Sequence, residues 1–163
     1  MNHKELQSFL DYKAQQYESI AFIQYDPIQI PHQFSKKEDI EVAAFLTATI
    51  AWGNRVSILK SAQKLIDMMD ASPYDFIIHH QKKDLTPFKG FVHRTFNEND
   101  LMYFFTALKN IYLKHHGLEK IFSNASYTLQ ERIHQFKNIF FELKFRLRSQ
   151  FGYFESLGML VWC

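Results

Sequence analysis

The stretch Ile40–Gly53, IEVAAFLTATIAWG, decides the fold. Apolar residues fall on every side of a helical wheel drawn through it, the pattern of a helix buried all round. Its apolar run Val42–Trp52, broken by Thr47 and Thr49, is far short of the ~20 residues needed to cross a bilayer. It reads as the central helix of a soluble bundle. Ala44, Ala48 and Ala51 form a small-residue stripe along it, a surface that a neighbouring helix can approach closely. Ser35-Lys-Lys-Glu38 has the form of a capping box and predicts the start. Gly53 is the preferred residue just past a helix end, and Asn54 is a good cap for the next helix.

Outward from this helix the signals remain helical. Residues 3–19 predict a first helix with Leu6, Phe9, Leu10, Lys13 and Tyr17 near one face. Ile20–Phe34 reads as an extended, ordered segment, because Pro27 and Pro31 bias the residues before them away from helix. Its alternating Ile28 and Ile30 suggest side chains packed down. Val56, Leu59, Ala62, Leu65, Ile66 and Met69 predict an amphipathic helix, and Ser72-Pro73 opens a short one running to about His80. Gln81–Phe96, polar and broken by Pro87 and Gly90, reads as a loop. Asn97–Asp100 opens a helix with Leu101, Phe104, Phe105, Leu108, Ile111 and Tyr112 inward, closed by Gly117. A short helix over Leu118–Phe122 follows. The capping box Thr128–Glu131 predicts the longest helix, reaching about Phe151.

Composition agrees. Gly and Pro number 5 and 4 in 163 residues, Val only 4, and Phe 17, so the chain lacks turn formers and is rich in rings. The expected fold is all-α, an irregular or orthogonal bundle of about six or seven helices, forming a single helical domain over 1–163. A formal net charge of +2 implies no partner by itself. The excess lies in residues 128–163, among them Arg146 and Arg148. The lone cysteine, Cys163, excludes a disulfide framework or a multi-thiolate zinc site within one chain. With a charged N-terminus that lacks a signal-peptide apolar core, this predicts a cytoplasmic protein without membrane contact.

No phosphate loop, nucleophile elbow or zinc-protease motif occurs. Adjacent histidines at His79-His80 and His115-His116 point about 100° apart on a helix, so neither pair chelates alone. Carboxylates at Glu38, Asp39, Glu41, Glu98 and Asp100 sit at helix starts and favour the dipole. No catalytic residue, metal site or cofactor is expected. Two short stretches are chemically denser. Ala51–Arg55 combines Trp52, Gly53, Asn54 and Arg55 at a helix junction. Phe91–Phe96 interleaves rings with His93 and Arg94. Arginine beside aromatics suits phosphate contact and base stacking, against the plainer reading of a core tryptophan and loop-tying arginines.

At SKKEDIEVAAFLTATIAWGNR, SPYDFI and FVHRTFNENDLMYFFTALKNIY the chain resembles the N-terminal part of an uncharacterised bacterial family, domain of unknown function 2400. The resemblance runs from the first helix to about residue 156. Full members are longer and carry a further segment similar to the catalytic one of helix-hairpin-helix DNA glycosylases. That implies a truncated chain here, without catalytic residues. IEVAAFLTATIAWGNRVSILKSAQKL is itself similar to the glycosylase pattern of a small-residue helix, polar turn and amphipathic helix. The expectation is a nucleic-acid-associated protein with Trp52, Asn54, Arg55, His93, Arg94, Arg146 and Arg148 in contact. The rival is a non-catalytic helical interaction module, its apolar tail Gly152–Cys163 and its ring-rich last helix serving self-association or partner binding through Phe140, Phe141, Phe145 and Phe151. A metalloenzyme would rest on histidine number alone.

Overall fold

The computed structural model describes residues 1–143. Arg146, Arg148, Phe145, Phe151 and the apolar tail lie outside the described residues. In chain order come α1 (His3–Tyr17), α2 (Ile20–Ile23), α3 (Lys37–Thr49), α4 (Arg55–Asp67) and α5 (Pro73–His79). An antiparallel hairpin of β1 (Val92–His93) and β2 (Phe96–Asn97) follows, then α6 (Glu98–Lys114), α7 (Leu118–Phe122) and α8 (Leu129–Phe140). The class is all-α. The described residues hold more helices than the six or seven expected, because the N-terminal third folds in short helical pieces.

The core gathers α3, α5 and α6, with α5 packed against both of the others and long side chains bridging α3 to α6. Val42, Ala43, Leu46 and Ile50 are buried from one side, and Leu101, Phe104, Phe105, Leu108 and Ile111 from the other. Rings fill the space between them and α8. Phe104 meets Phe140 edge-on at 4.9 Å and Phe96 at 5.2 Å, while Phe45 stacks on it at 5.7 Å. Each buried ring contributes about 1.5–3 kcal/mol by burial, and such pairs add about 0.5–1.5 kcal/mol.

Several expectations change. Residues 20–34 are not extended. After α2 the chain makes two 3-10 turns, Pro27–Gln29 and Pro31–Gln33, each with proline first. Proline's missing N–H costs nothing there, and the Asp26 side chain accepts from Ile28 N at 3.1 Å. Ile30 is buried but Ile28 is exposed. The Ser35–Glu38 capping box does not form: α3 starts at Lys37, and Lys36 supplies no side-chain cap. The acids beyond it bind other elements rather than serving only their own dipole. Asp39 accepts from Tyr74 N at 2.9 Å, which takes over the capping of α5 that Ser72 does not perform. Glu41 accepts from the Tyr112 hydroxyl at 2.8 Å, and burial, followed by this carboxylate, pushes the hydroxyl pKa up.

On α4 the buried stripe includes Ile58, while Val56 faces solvent. The expected loop 81–96 contains a 3-10 helix, Lys82–Phe88, and the hairpin. The helix begun at Thr128 has its capping box but stops at Phe140, short of the expected Phe151. No glycine or proline ends it. Instead the Tyr103 hydroxyl donates to Phe140 O at 2.8 Å, and the buried Asn110 amide donates to Glu142. Both donors come from α6, which takes the last carbonyl of α8 and ties down the Glu142 side chain just beyond it. Leu129 at the start of its seam is exposed, whereas Phe136 and Phe140 are core residues. A buried Phe140 is not available as a self-association surface.

Candidate nucleic-acid interface

The two dense stretches, about forty residues apart in sequence, meet in space. After α3 the chain turns through Trp52, Gly53 and Asn54 into α4. Gly53 has φ +106°, a left-handed conformation that glycine adopts readily. Asn54 is the cap foreseen for α4, its side-chain oxygen accepting from Ser57 N at 3.2 Å. That duty fixes its amide as a structural group.

The hairpin arrives from the other direction. Strand alternation turns Phe91 and His93 inward and Val92 outward. Register pairs His93 with Phe96, leaving Arg94-Thr95 as a two-residue loop. Arg94 sits at φ +56°, a conformation costing a non-glycine residue about 1–2 kcal/mol. Acids in the first turn of α6 hold the base of the hairpin. Glu98 accepts from Gly90 N, and Asp100 accepts from Asn97 N at 2.9 Å. Burial pushes the Asp100 carboxyl pKa up, partly opposed by that N–H.

The contacts between the two stretches are close. The Arg94 guanidinium lies 5.3 Å over the Trp52 ring. A methyl group on Gly53 would fall 2.2 Å from its Nε and Nη2 atoms, so the absent side chain makes room for the guanidinium. Trp52 also meets the His93 ring edge-on at 6.4 Å. His93 is 4% exposed, its Nδ1 lies 2.9 Å from Ser61 Oγ on α4, and its Nε2 is buried with no hydrogen-bond partner among the described residues. Among the described residues Arg94 has no carboxylate partner. Nor, among the described residues, does its guanidinium bond a carbonyl; it holds the hairpin tip to the Trp52 turn by stacking.

Arg55 faces elsewhere. Its Nη2 lies 3.8 Å from Asp26 Oδ2, and its guanidinium is 5.8 Å from the Phe22 ring. Trp52, His93 and Arg94 therefore form one unit, with Asn54 and Arg55 beside it in separate duties. Ser61, Gly53 and Asp26 are partners that residue types alone did not single out.

A family model described as "Protein of unknown function (DUF2400)" matches residues 26–157. The chain belongs to the DUF2400 family. The matched region of this DUF2400 member starts at Asp26 and takes in both stretches of the site, while α1 and α2 precede it. No curated protein and no solved structure matches the chain. The glycosylase likeness therefore rests on sequence pattern alone.

Chemically, the unit offers a fixed cation, an aromatic platform and a buried imidazole. A guanidinium stacked on a ring retains its in-plane N–H donors, which suit phosphate oxygens. Lys64, three residues after Ser61 on α4, shares the helix face that carries the His93 contact and is exposed. Among the described residues no group of three or more His, Cys, Asp or Glu converges on a metal position. His79 bonds Asp75, and His80 stacks on Phe76 at 5.2 Å. No described helix is long and apolar enough to cross a membrane.

Proposed function

We propose that this DUF2400 member associates with nucleic acid through the surface that the Trp52–Gly53 turn and the Arg94 hairpin tip build together. One observation carries the reading. An arginine without a carboxylate partner among the described residues is held in a left-handed backbone, over a tryptophan, at a glycine that makes room for it. Strain of this kind persists where the surroundings over-determine it, and it concentrates at binding sites. Arg94 and Lys64 supply phosphate contacts, and Trp52 supplies packing or base stacking. Arg146 and Arg148 extend the same reading to the chain after residue 143. The similarity to glycosylase patterns makes duplex DNA the first polymer to test, and base excision is an analogy at the level of sequence pattern.

The test is binding to a short labelled duplex over a salt series. Log affinity falls linearly with log salt, and Arg94→Ala lowers the slope by about one. A flat salt response, or no binding at low salt, overturns the reading.

A second reading, a non-catalytic interaction module, is favoured by α1. The helix buries none of its residues and leaves Leu6, Phe9, Leu10 and Tyr17 exposed. It predicts a mass that rises with concentration in light scattering and returns to that of a monomer when residues 1–18 are removed.

A further inference from the structure

Among the described residues no α-helix covers the small-residue stripe of Ala44, Ala48 and Ala51. It floors a cleft of about 450 Å³ whose far wall is the 3-10 segment of Pro27, Ile28 and Pro31. That volume lies within the range of small-molecule sites. Ala44, Ala48 and Ala51 leave the floor flat, and the prolines opposite offer rigid apolar faces suited to a ring.

Two polar features stand in this apolar slot. The first is Thr47, 5% exposed and lining the cleft. Threonines in helices commonly bond the carbonyl four residues back. Thr49 does so to Phe45 O at 2.8 Å, and Thr106 to Met102 O at 2.8 Å. Among the described residues the Thr47 hydroxyl makes no hydrogen bond, and it keeps its access to solvent through the cleft it lines, so its donor and acceptor are open to a ligand there. The second is the Asp26–Arg55 pair, also in the lining. At 3.8 Å the two charges attract but do not share a hydrogen bond, so the guanidinium keeps its donors and Asp26 Oδ2 its lone pairs. A pair spaced in this way can receive a ligand that carries both charges. The adjacent negative charge disfavours a dianion such as phosphate at Arg55.

We propose that this cleft binds a free α-amino acid with a flat side chain ending in a hydrogen-bonding group. The carboxylate goes to Arg55 and the ammonium to Asp26. The ring lies between the alanine floor and the proline wall, and its polar tip meets the Thr47 hydroxyl. The site adjoins the nucleic-acid surface at Gly53, which lines it, but Trp52, His93 and Arg94 do not.

L-tryptophan is the probe, followed by amide chemical shifts of the full chain. Millimolar L-tryptophan shifts the resonances of Thr47, Ala48 and Ile58. Tryptamine, which lacks the carboxylate, and indole-3-propionate, which lacks the ammonium, each bind about tenfold more weakly, as the loss of one charge-assisted contact requires. Glycine, which lacks the ring, produces no shift. Arg55→Gln and Thr47→Val weaken binding, and Ala48→Leu, a change at an exposed helix position, fills the slot and abolishes it. Circular dichroism of each variant confirms the fold. Absence of any shift with L-tryptophan overturns the proposal. So does equal binding by either analogue, or binding that survives Ala48→Leu.

Discussion

At the scale of single residues, Gly53 decides whether Arg94 can lie on Trp52. Its left-handed φ and the 2.2 Å approach of Arg94 to a would-be Cβ act together. Gly53→Ala is expected to cost about 1–3 kcal/mol in urea denaturation, from backbone strain and displacement of the arginine. The same variant should weaken duplex binding to about the level of Arg94→Ala. Thr47 behaves oppositely. Its hydroxyl has no partner among the described residues to lose, so Thr47→Val should keep stability within about 0.5 kcal/mol of the parent. Thermal unfolding of the two variants side by side checks both. Residue type alone was enough to single out Trp52, Arg55, His93 and Arg94, because rings beside guanidinium groups have recognisable chemistry. Residue type could not say that Arg55 pairs with Asp26 while Arg94, among the described residues, lies on Trp52 without a carboxylate, since those partners lie some thirty to forty residues away.

At the scale of elements, helix ends carry the tests. Asp100 caps α6 from a buried position, and burial raises its pKa. A carboxyl whose folded pKa exceeds its unfolded one favours the fold when protonated. Its contribution is present below the ordinary carboxylate range and is lost as pH rises through the raised value. Asp100→Asn keeps an oxygen for Asn97 N–H and removes that slope. The stability difference between variant and parent, followed by urea denaturation from pH 3 upward, should therefore move in the variant's favour as pH rises. Glu142 has the opposite sign, held below its usual range chiefly by the Asn110 amide, so its contribution is lost as pH falls. At the end of α8 the Tyr103 hydroxyl, pushed up to about 12 by burial, stays a donor at all physiological pH values. Tyr103→Phe leaves the Phe140 carbonyl without that donor and is expected to cost about 1–3 kcal/mol, with faster amide exchange in the last turn of α8. Periodicity and capping residues located most helices. They failed where an end is made by tertiary hydrogen bonds, as at Phe140, and where another element takes over the cap, as Asp39 does for α5.

At the scale of the whole molecule, stability is concentrated in the ring cluster and absent from α1. Phe104→Ala is expected to cost about 3–5 kcal/mol, a large part of the total stability of a domain this size. Removing residues 1–18 should shift the melting temperature by no more than about 2 °C, because α1 buries none of its residues. Calorimetry of the two variants tests whether the molecule is organised in this way. Its helical class, its buried central helix and most of its helix starts were legible in the chain itself. They depend on energies between residues one or two turns apart, which leave a periodic or capping pattern in the sequence. The meeting of Trp52 with Arg94, the cleft beside the alanine stripe, the stop at Phe140 and the reassignment of Asp39 and Glu41 were decided only by tertiary structure. Each joins residues more than ten positions apart, and which of them touch is set by how the helices and the hairpin pack around shared rings.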